Sequence, residues 1–249
     1  MATIGIFDSG SGGLSVYREL VKVLPDEHFV YYADNAHCPY GEKTAEYIQA
    51  RARVITDFLL GKGADIIVVA CNTATAAAIS TLRAEYPAVP FVGMEPAVKP
   101  AALGTQTGVI GVLATAGTLK GSKYLNTRGL YEDDVRIVEH VGQGFVELVE
   151  AGILDGEQAE NTVRASLRPL LDQGADKIVL GCTHYPFLRP VIERLAGPAV
   201  QVIDPAPAVA RQTLRLLQER GIPVGQGSFS VELTSSGDPS ALHRIFALI

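Results

Sequence analysis

The chain has 249 residues, 47% of them hydrophobic and 19% charged, with a formal net charge of −6. That composition describes a compact globular protein, with enough chain for one large α/β domain or two small ones, and excludes a disordered segment. The acidic balance gives no field that would attract nucleic acid or an anionic membrane surface, so an anionic substrate needs local donors.

The start, MATIGIFDSGSGG, lacks the basic first residues and apolar core of a signal peptide, and no apolar run approaches the ~18–20 residues of a membrane span. A cytoplasmic protein is expected. Three cysteines, Cys38, Cys71 and Cys182, make an odd count without a CxxC pair, which points to free thiols rather than to a disulfide framework or a structural zinc site.

Thr3–Phe7 reads as a first strand, running into a polar glycine turn and the amphipathic segment Leu14–Leu24. Phe29–Ala33 follows, then a helical stretch over Lys43–Leu60. The uninterrupted apolar run Ile66–Ala70 has the look of a central parallel strand, and Ala74–Tyr86 returns as a helix. Further strands are predicted at Phe91–Met94, Gly108–Leu113, Arg136–Val141, Lys177–Gly181, Val200–Ile203 and Ser228–Thr234. Glu157–Asp172 is predicted as a helix, and a short one is expected near Pro239–Leu248. This alternation implies α/β architecture with helices on both sheet faces.

The pattern is written twice. GADIIVVACNTA (63–74) aligns without a gap with GADKIVLGCTHY (174–185), setting Cys71 against Cys182 at an offset of 111 residues. IGIFDSG (4–10) aligns more weakly with IGVLATA (110–116) at an offset of 106. Two similar, pseudo-symmetric α/β domains with parallel central sheets are therefore expected, with the active site in the cleft between them. Prolines in MEPAVKPAA and DPAPAVA mark the crossings, giving a discontinuous first domain, 1–95 plus 206–249, and an inserted second domain, 96–205. Ligands of open α/β sheets bind beyond the carboxyl ends of strands, where both cysteines fall.

Moving a proton from one face of a carbon to the other calls for two acid/base groups flanking a planar intermediate. A thiol titrates close enough to neutrality for one member of a pair to wait as thiolate while its partner keeps its proton. Each of the two cysteines precedes polar residues at a strand-to-helix turn, where a helix N-terminus is expected to lower a thiol pKa. Glycines 10, 12 and 13 allow backbone amides to approach an anion, so DSGSGG reads as a carboxylate-binding loop rather than a nucleotide motif. Asp8, at the first strand's end, is placed to tune a neighbouring thiol or ammonium, and His184 to support the Cys182 thiol or merely to cap its turn. Cys38, in AHCPYG, has no such setting and reads as bystander packing. The other histidines show no metal-ligand spacing.

FDSGSGGL, CPYGEKT, ACNTAT and GCTHYP, in this order and at these distances, resemble the glutamate racemases of the aspartate/glutamate racemase superfamily across essentially the whole chain. The resemblance implies that Cys71 and Cys182 are the catalytic thiols on opposite faces of the substrate, the former for D- and the latter for L-glutamate. It implies that Asp8, His184 and Glu150 assist them, with Glu147, one helical turn earlier, an alternative to Glu150. Ser9, Pro39, Tyr40, Gly41, Asn72, Thr73, Thr115, Thr118 and Thr183 fall where the family binds the substrate's carboxylates and ammonium. It further implies no pyridoxal phosphate or metal, a homodimer, and D-glutamate made for peptidoglycan. An aspartate racemase or related two-cysteine isomerase is the alternative. A two-lobed ligand carrier would not need a thiol from each half, and a thiol hydrolase leaves the second cysteine unexplained.

Overall fold

The computed structural model describes residues 1–225 and 227–249. Nine strands form two separate, all-parallel sheets among the described residues. The first sheet contains β1 (Thr3–Asp8), β2 (His28–Ala33), β3 (Ile66–Val69), β4 (Phe91–Gly93) and β9 (Ser230–Ser235), ordered β4-β3-β1-β2-β9. The second contains β5 (Val109–Ala114), β6 (Arg136–Val141), β7 (Lys177–Gly181) and β8 (Gln201–Ile203), ordered β6-β5-β7-β8. Two parallel-sheet α/β domains result, and every predicted strand is present to within a residue or two.

The internal match is visible in the hydrogen-bonding register. Ile4 pairs with Ile66 in the first sheet, and Ile110 with Lys177 in the second. Those partners are separated by the same two offsets, 106 and 111, that align the sequences. Strand order agrees as well, since β4-β3-β1-β2 and β8-β7-β5-β6 are one arrangement. A register slip would turn every side chain to the opposite face, so the shared register carries Cys71 and Cys182 to equivalent strand ends.

The central strands are buried on both faces, as parallel strands under helices must be: all four residues of β3 are inaccessible. Helix α1 (Leu14–Val23) packs against the helix Ala206–Glu219. On the other face α2 (Ala45–Gly61) packs against α3 (Asn72–Glu85), closing a core with Ile48, Ile55, Ile67, Val69 and Leu82. No described helix is long and apolar enough to cross a membrane.

Between β2 and α2 the chain makes two short 3-10 turns, Asn35–His37 and Tyr40–Glu42, which carry Cys38, Pro39 and Gly41. One fully buried carboxylate anchors this segment. Asp34 accepts from Arg51 Nη2 at 2.9 Å, Arg51 Nε at 3.0 Å and Tyr40 Oη at 2.5 Å. Burial alone would raise its carboxyl, but the Arg51 and Tyr40 bonds outweigh that and hold it below its usual range. A depressed folded-state pKa contributes stability above the unfolded value and loses it as pH falls through the folded one. Arg51→Ala should therefore cost about 3 kcal/mol in urea unfolding at neutral pH, because it strands a buried charge. The difference from wild type should narrow as pH falls below about 4. A constant difference across that range would show that Asp34 is not the group responsible.

Candidate active site

Cys71 stands two residues past the end of β3 and is the N-cap of α3, its Sγ accepting from Ala74 N–H at 3.4 Å. Cys182 directly follows β7, and a 3-10 turn, Tyr185–Leu188, precedes its helix. Both thiols are nearly inaccessible and both line one small pocket, with Ser9, Asn72 and Thr73 from the first domain and Thr115, Thr183 and His184 near them from the second. Pro39, Tyr40 and Gly41 close its rim. The space left is about 10 Å³, room for one water at most.

The surroundings of the two thiols differ. Burial and the nearby Asp8 carboxylate raise the Cys71 thiol well above its usual value, despite the Ala74 bond. The expectation that a helix N-terminus lowers this pKa is thus overturned: one N–H···S contact is outweighed by desolvation and a like charge. Beside Cys182 stands His184, its Nδ1 3.8 Å from Sγ and its Nε2–H donating to Glu150 Oε1 at 2.7 Å. Burial would push the His184 imidazolium down, but Cys182 and Glu150 together hold its pKa well up. Glu150 is correspondingly held below the ordinary carboxylate range by His184 and Ser11, against the opposing effect of burial. Asp8, fully buried, has its carboxyl raised by desolvation, although Gly13 N–H at 2.7 Å and Thr183 Oγ1 at 3.2 Å both donate to it.

The glycine loop does take carboxylates, but they are the protein's own. Ser11 N–H donates to Glu150 Oε1 at 2.7 Å and Ser11 Oγ to Oε2 at 3.0 Å, across the domain boundary. A Cβ on Gly10 would lie 2.5 Å from that Glu150 oxygen, and one on Gly12 would collide with the His184 ring. The loop needs its glycines because the second domain's acid/base pair lies directly against its backbone. Of this loop, Ser9 lines the thiol pocket, while the Ser11 N–H and hydroxyl are taken up by Glu150. Ser11 was not singled out, and nothing local in a glycine-rich turn marks a serine as the partner of a residue 139 positions away.

Of the two candidate glutamates, Glu150 is the one that reaches His184, and both line a cavity with Pro39. Thr73, Thr115 and Thr118 form a triangle of hydroxyls at 2.8, 3.0 and 3.2 Å that joins the domains, with Thr118 behind the pocket wall. Tyr40 borders the pocket, but its hydroxyl is committed to Asp34. Asn72 is 3% exposed, and neither its Oδ1 nor its Nδ2 has a partner among the described residues. An amide buried in this way in a pocket wall is costly unless a ligand supplies both an acceptor and a donor. Cys38, expected as bystander packing, has its Sγ in one cluster with Glu150 and His184, outside the thiol pocket itself.

Two register-matched α/β domains thus close on a pair of buried thiols in one pocket. The Asp/Glu/Hydantoin racemase family matches residues 4–213, and the chain belongs to that family. It is 48% identical over 248 residues to a glutamate racemase of Ectopseudomonas mendocina, covering 100% of this chain and 94% of that one. Among solved structures it resembles glutamate racemase isoform RacE1 of Bacillus anthracis, with TM-score 0.88, 32% identity, and 98% and 92% of the two chains covered. It also resembles an Escherichia coli glutamate racemase in complex with L-glutamate and the activator UDP-MurNAc-ala, with TM-score 0.87, 32% identity, and 99% and 93% covered.

If the Ser11 hydroxyl sets the position of Glu150, Ser11→Ala should lower racemase kcat about tenfold, the worth of one charge-assisted hydrogen bond of roughly 1.5 kcal/mol. KM should hardly change, since Ser11 does not line the pocket. The acid limb of the pH profile should move up, because Glu150 loses a donor that keeps its carboxyl low, and Ser11→Thr should restore both. An unchanged kcat and pH profile in Ser11→Ala would show that the backbone N–H suffices.

Proposed function

We propose that the protein interconverts L- and D-glutamate without a cofactor, Cys71 and Cys182 exchanging the Cα proton from opposite faces. The observation that carries this reading is that two buried thiols, one from each register-matched domain, meet in a single pocket. One thiolate removes the proton while the opposing thiol delivers another, so the net charge of the enclosed site stays constant through the step.

The neighbours divide the labour. Burial and Asp8 keep the Cys71 proton in place at rest, suiting it to deliver first. Asp8, its own carboxyl raised, can hold a proton while Cys71 is ionised. On the other side the Glu150–His184 pair holds an imidazole beside Cys182, its Nδ1 3.8 Å from the sulfur. Asn72 and the hydroxyls of Ser9, Thr73, Thr115 and Thr183 offer donors and acceptors for the carboxylates and the ammonium of the substrate. Glutamate far exceeds the residual space of about 10 Å³, so its admission requires the pocket to open. Assignment of Cys71 to the D- and Cys182 to the L-enantiomer, a division into lobes 1–95 with 206–249 and 96–205, a cytoplasmic homodimer and supply of D-glutamate to peptidoglycan complete the reading. The enantiomer assignment, the homodimer and the peptidoglycan role are supported by the resemblance to the glutamate racemases, the lobes by the internal match and the proline-marked crossings, and the cytoplasmic placing by the unpaired cysteine count.

Incubation with L-glutamate in D2O, with no cofactor added, should give loss of optical rotation together with deuterium at Cα. Inert L-glutamate beside racemised L-aspartate would instead assign the protein to aspartate. Cys71→Ser and Cys182→Ser should each lower turnover by roughly 10²–10⁴-fold. Because the two enantiomers are equal in energy, kcat/KM should fall by the same factor in both directions. Near-normal racemisation by either variant would exclude the two-thiol mechanism.

A further inference from the structure

Cys38, Glu150 and His184 come from three distant parts of the chain. One ligand-type atom of each, a sulfur, a carboxylate oxygen and an imidazole nitrogen, lies within 4.8 Å of the others. Mixed sulfur, nitrogen and oxygen donors in this number suit Zn²⁺, which takes three protein ligands and a water when its site is open. Metal–ligand bonds of about 2.0–2.3 Å put tetrahedral donors some 3.3–3.6 Å apart. The His184–Glu150 pair, now 2.7 Å apart, would therefore have to open by only a fraction of an ångström.

Access does not require passage through the thiol pocket. Cys38 and Glu150 also line a second cavity of about 450 Å³, between the 35–39 turn and the helices Phe145–Ala151 and Ser240–Phe246. That cavity has the volume to admit a cation and a water as its fourth ligand. No sequence spacing announces the site, because its ligands are 38, 150 and 184.

We propose that this cluster is an inhibitory binding site for Zn²⁺ or a cation of similar softness. Binding forms bonds from the metal to Cys38 Sγ, a Glu150 oxygen and His184 Nε2. It releases two protons to water, one from the Cys38 thiol and one from the His184–Glu150 hydrogen bond. One divalent ion replaces two protons, so the charge of the cluster is unchanged and no new buried charge opposes binding. The bound ion takes both members of the pair that serves Cys182, and turnover stops. This consequence rests on the proposed racemase reading; the binding itself does not.

The test uses Co²⁺ as a spectroscopic stand-in and Zn²⁺ as the inhibitor. Cys71→Ala/Cys182→Ala leaves Cys38 as the sole thiol, and on adding Co²⁺ it should keep a thiolate-to-cobalt charge-transfer band. Cys38→Ala and Cys38→Ser should lose that band. In turnover, Zn²⁺ should inhibit the wild-type protein, while Cys38→Ala keeps its basal rate and needs at least about tenfold more Zn²⁺ for equal inhibition. Loss of the band in the double variant, equal zinc sensitivity of wild type and Cys38→Ala, or cobalt binding through Cys38 with no effect of Zn²⁺ on turnover would each overturn the proposal. A protein that binds cobalt through Cys38 yet racemises no glutamate would leave the site standing and remove the proposed function instead.

Discussion

The contact on which the site depends is the Glu150 carboxylate, held between the first domain's glycine loop and the second domain's His184. Ser11 donates to both of its oxygens, and His184 donates to the one shared with the Ser11 amide. A part-buried anion at a domain boundary is stabilised when its lone pairs are occupied and a cation stands beside it. The same contact fixes how closely the domains approach, orients the imidazole beside Cys182, and fills the space that side chains at positions 10 and 12 would otherwise occupy. Glycine there is a consequence of the closed arrangement.

A second carboxylate works from the opposite direction. Asp8 ends β1, takes the Gly13 N–H of its own loop and the Thr183 hydroxyl of the other domain, and stands near Cys71. One thiol is thus paired with a carboxylate whose proton is held by burial, the other with an imidazole whose proton is held by an ion pair. The shared strand order and register place two equivalent cysteines at equivalent strand ends. The residues around them differ, and the difference in charge follows from those neighbours rather than from the strands.

Much of the architecture was legible. Buried β-branched runs separated by amphipathic helices yield parallel strands whatever the rest of the chain does, which is why the strands over 66–70 and 177–181 were clear. The gapless match around the cysteines was informative for the same reason: register in a two-face-buried sheet is strongly specified, so sequence offsets survive as pairing offsets. Cys38 and Ser11 were not legible. Each sits in an irregular segment whose partners lie more than a hundred residues away, and neither periodicity nor local spacing carries that distance. The thiol pKa was misjudged because a helix N-terminus can be read locally, whereas the desolvation and the Asp8 charge that outweigh it cannot.

The sequence by itself determined two α/β domains, two equivalent strand-end cysteines and a glycine loop ready to receive a carboxylate, since these follow from local patterning and from internal repetition. Only the tertiary structure decided which carboxylate the loop receives, which of Glu147 and Glu150 meets His184, and that Cys38 joins them. Those outcomes turn on how the two sheets face each other. Packing between the domains sets that, through contacts no single segment encodes.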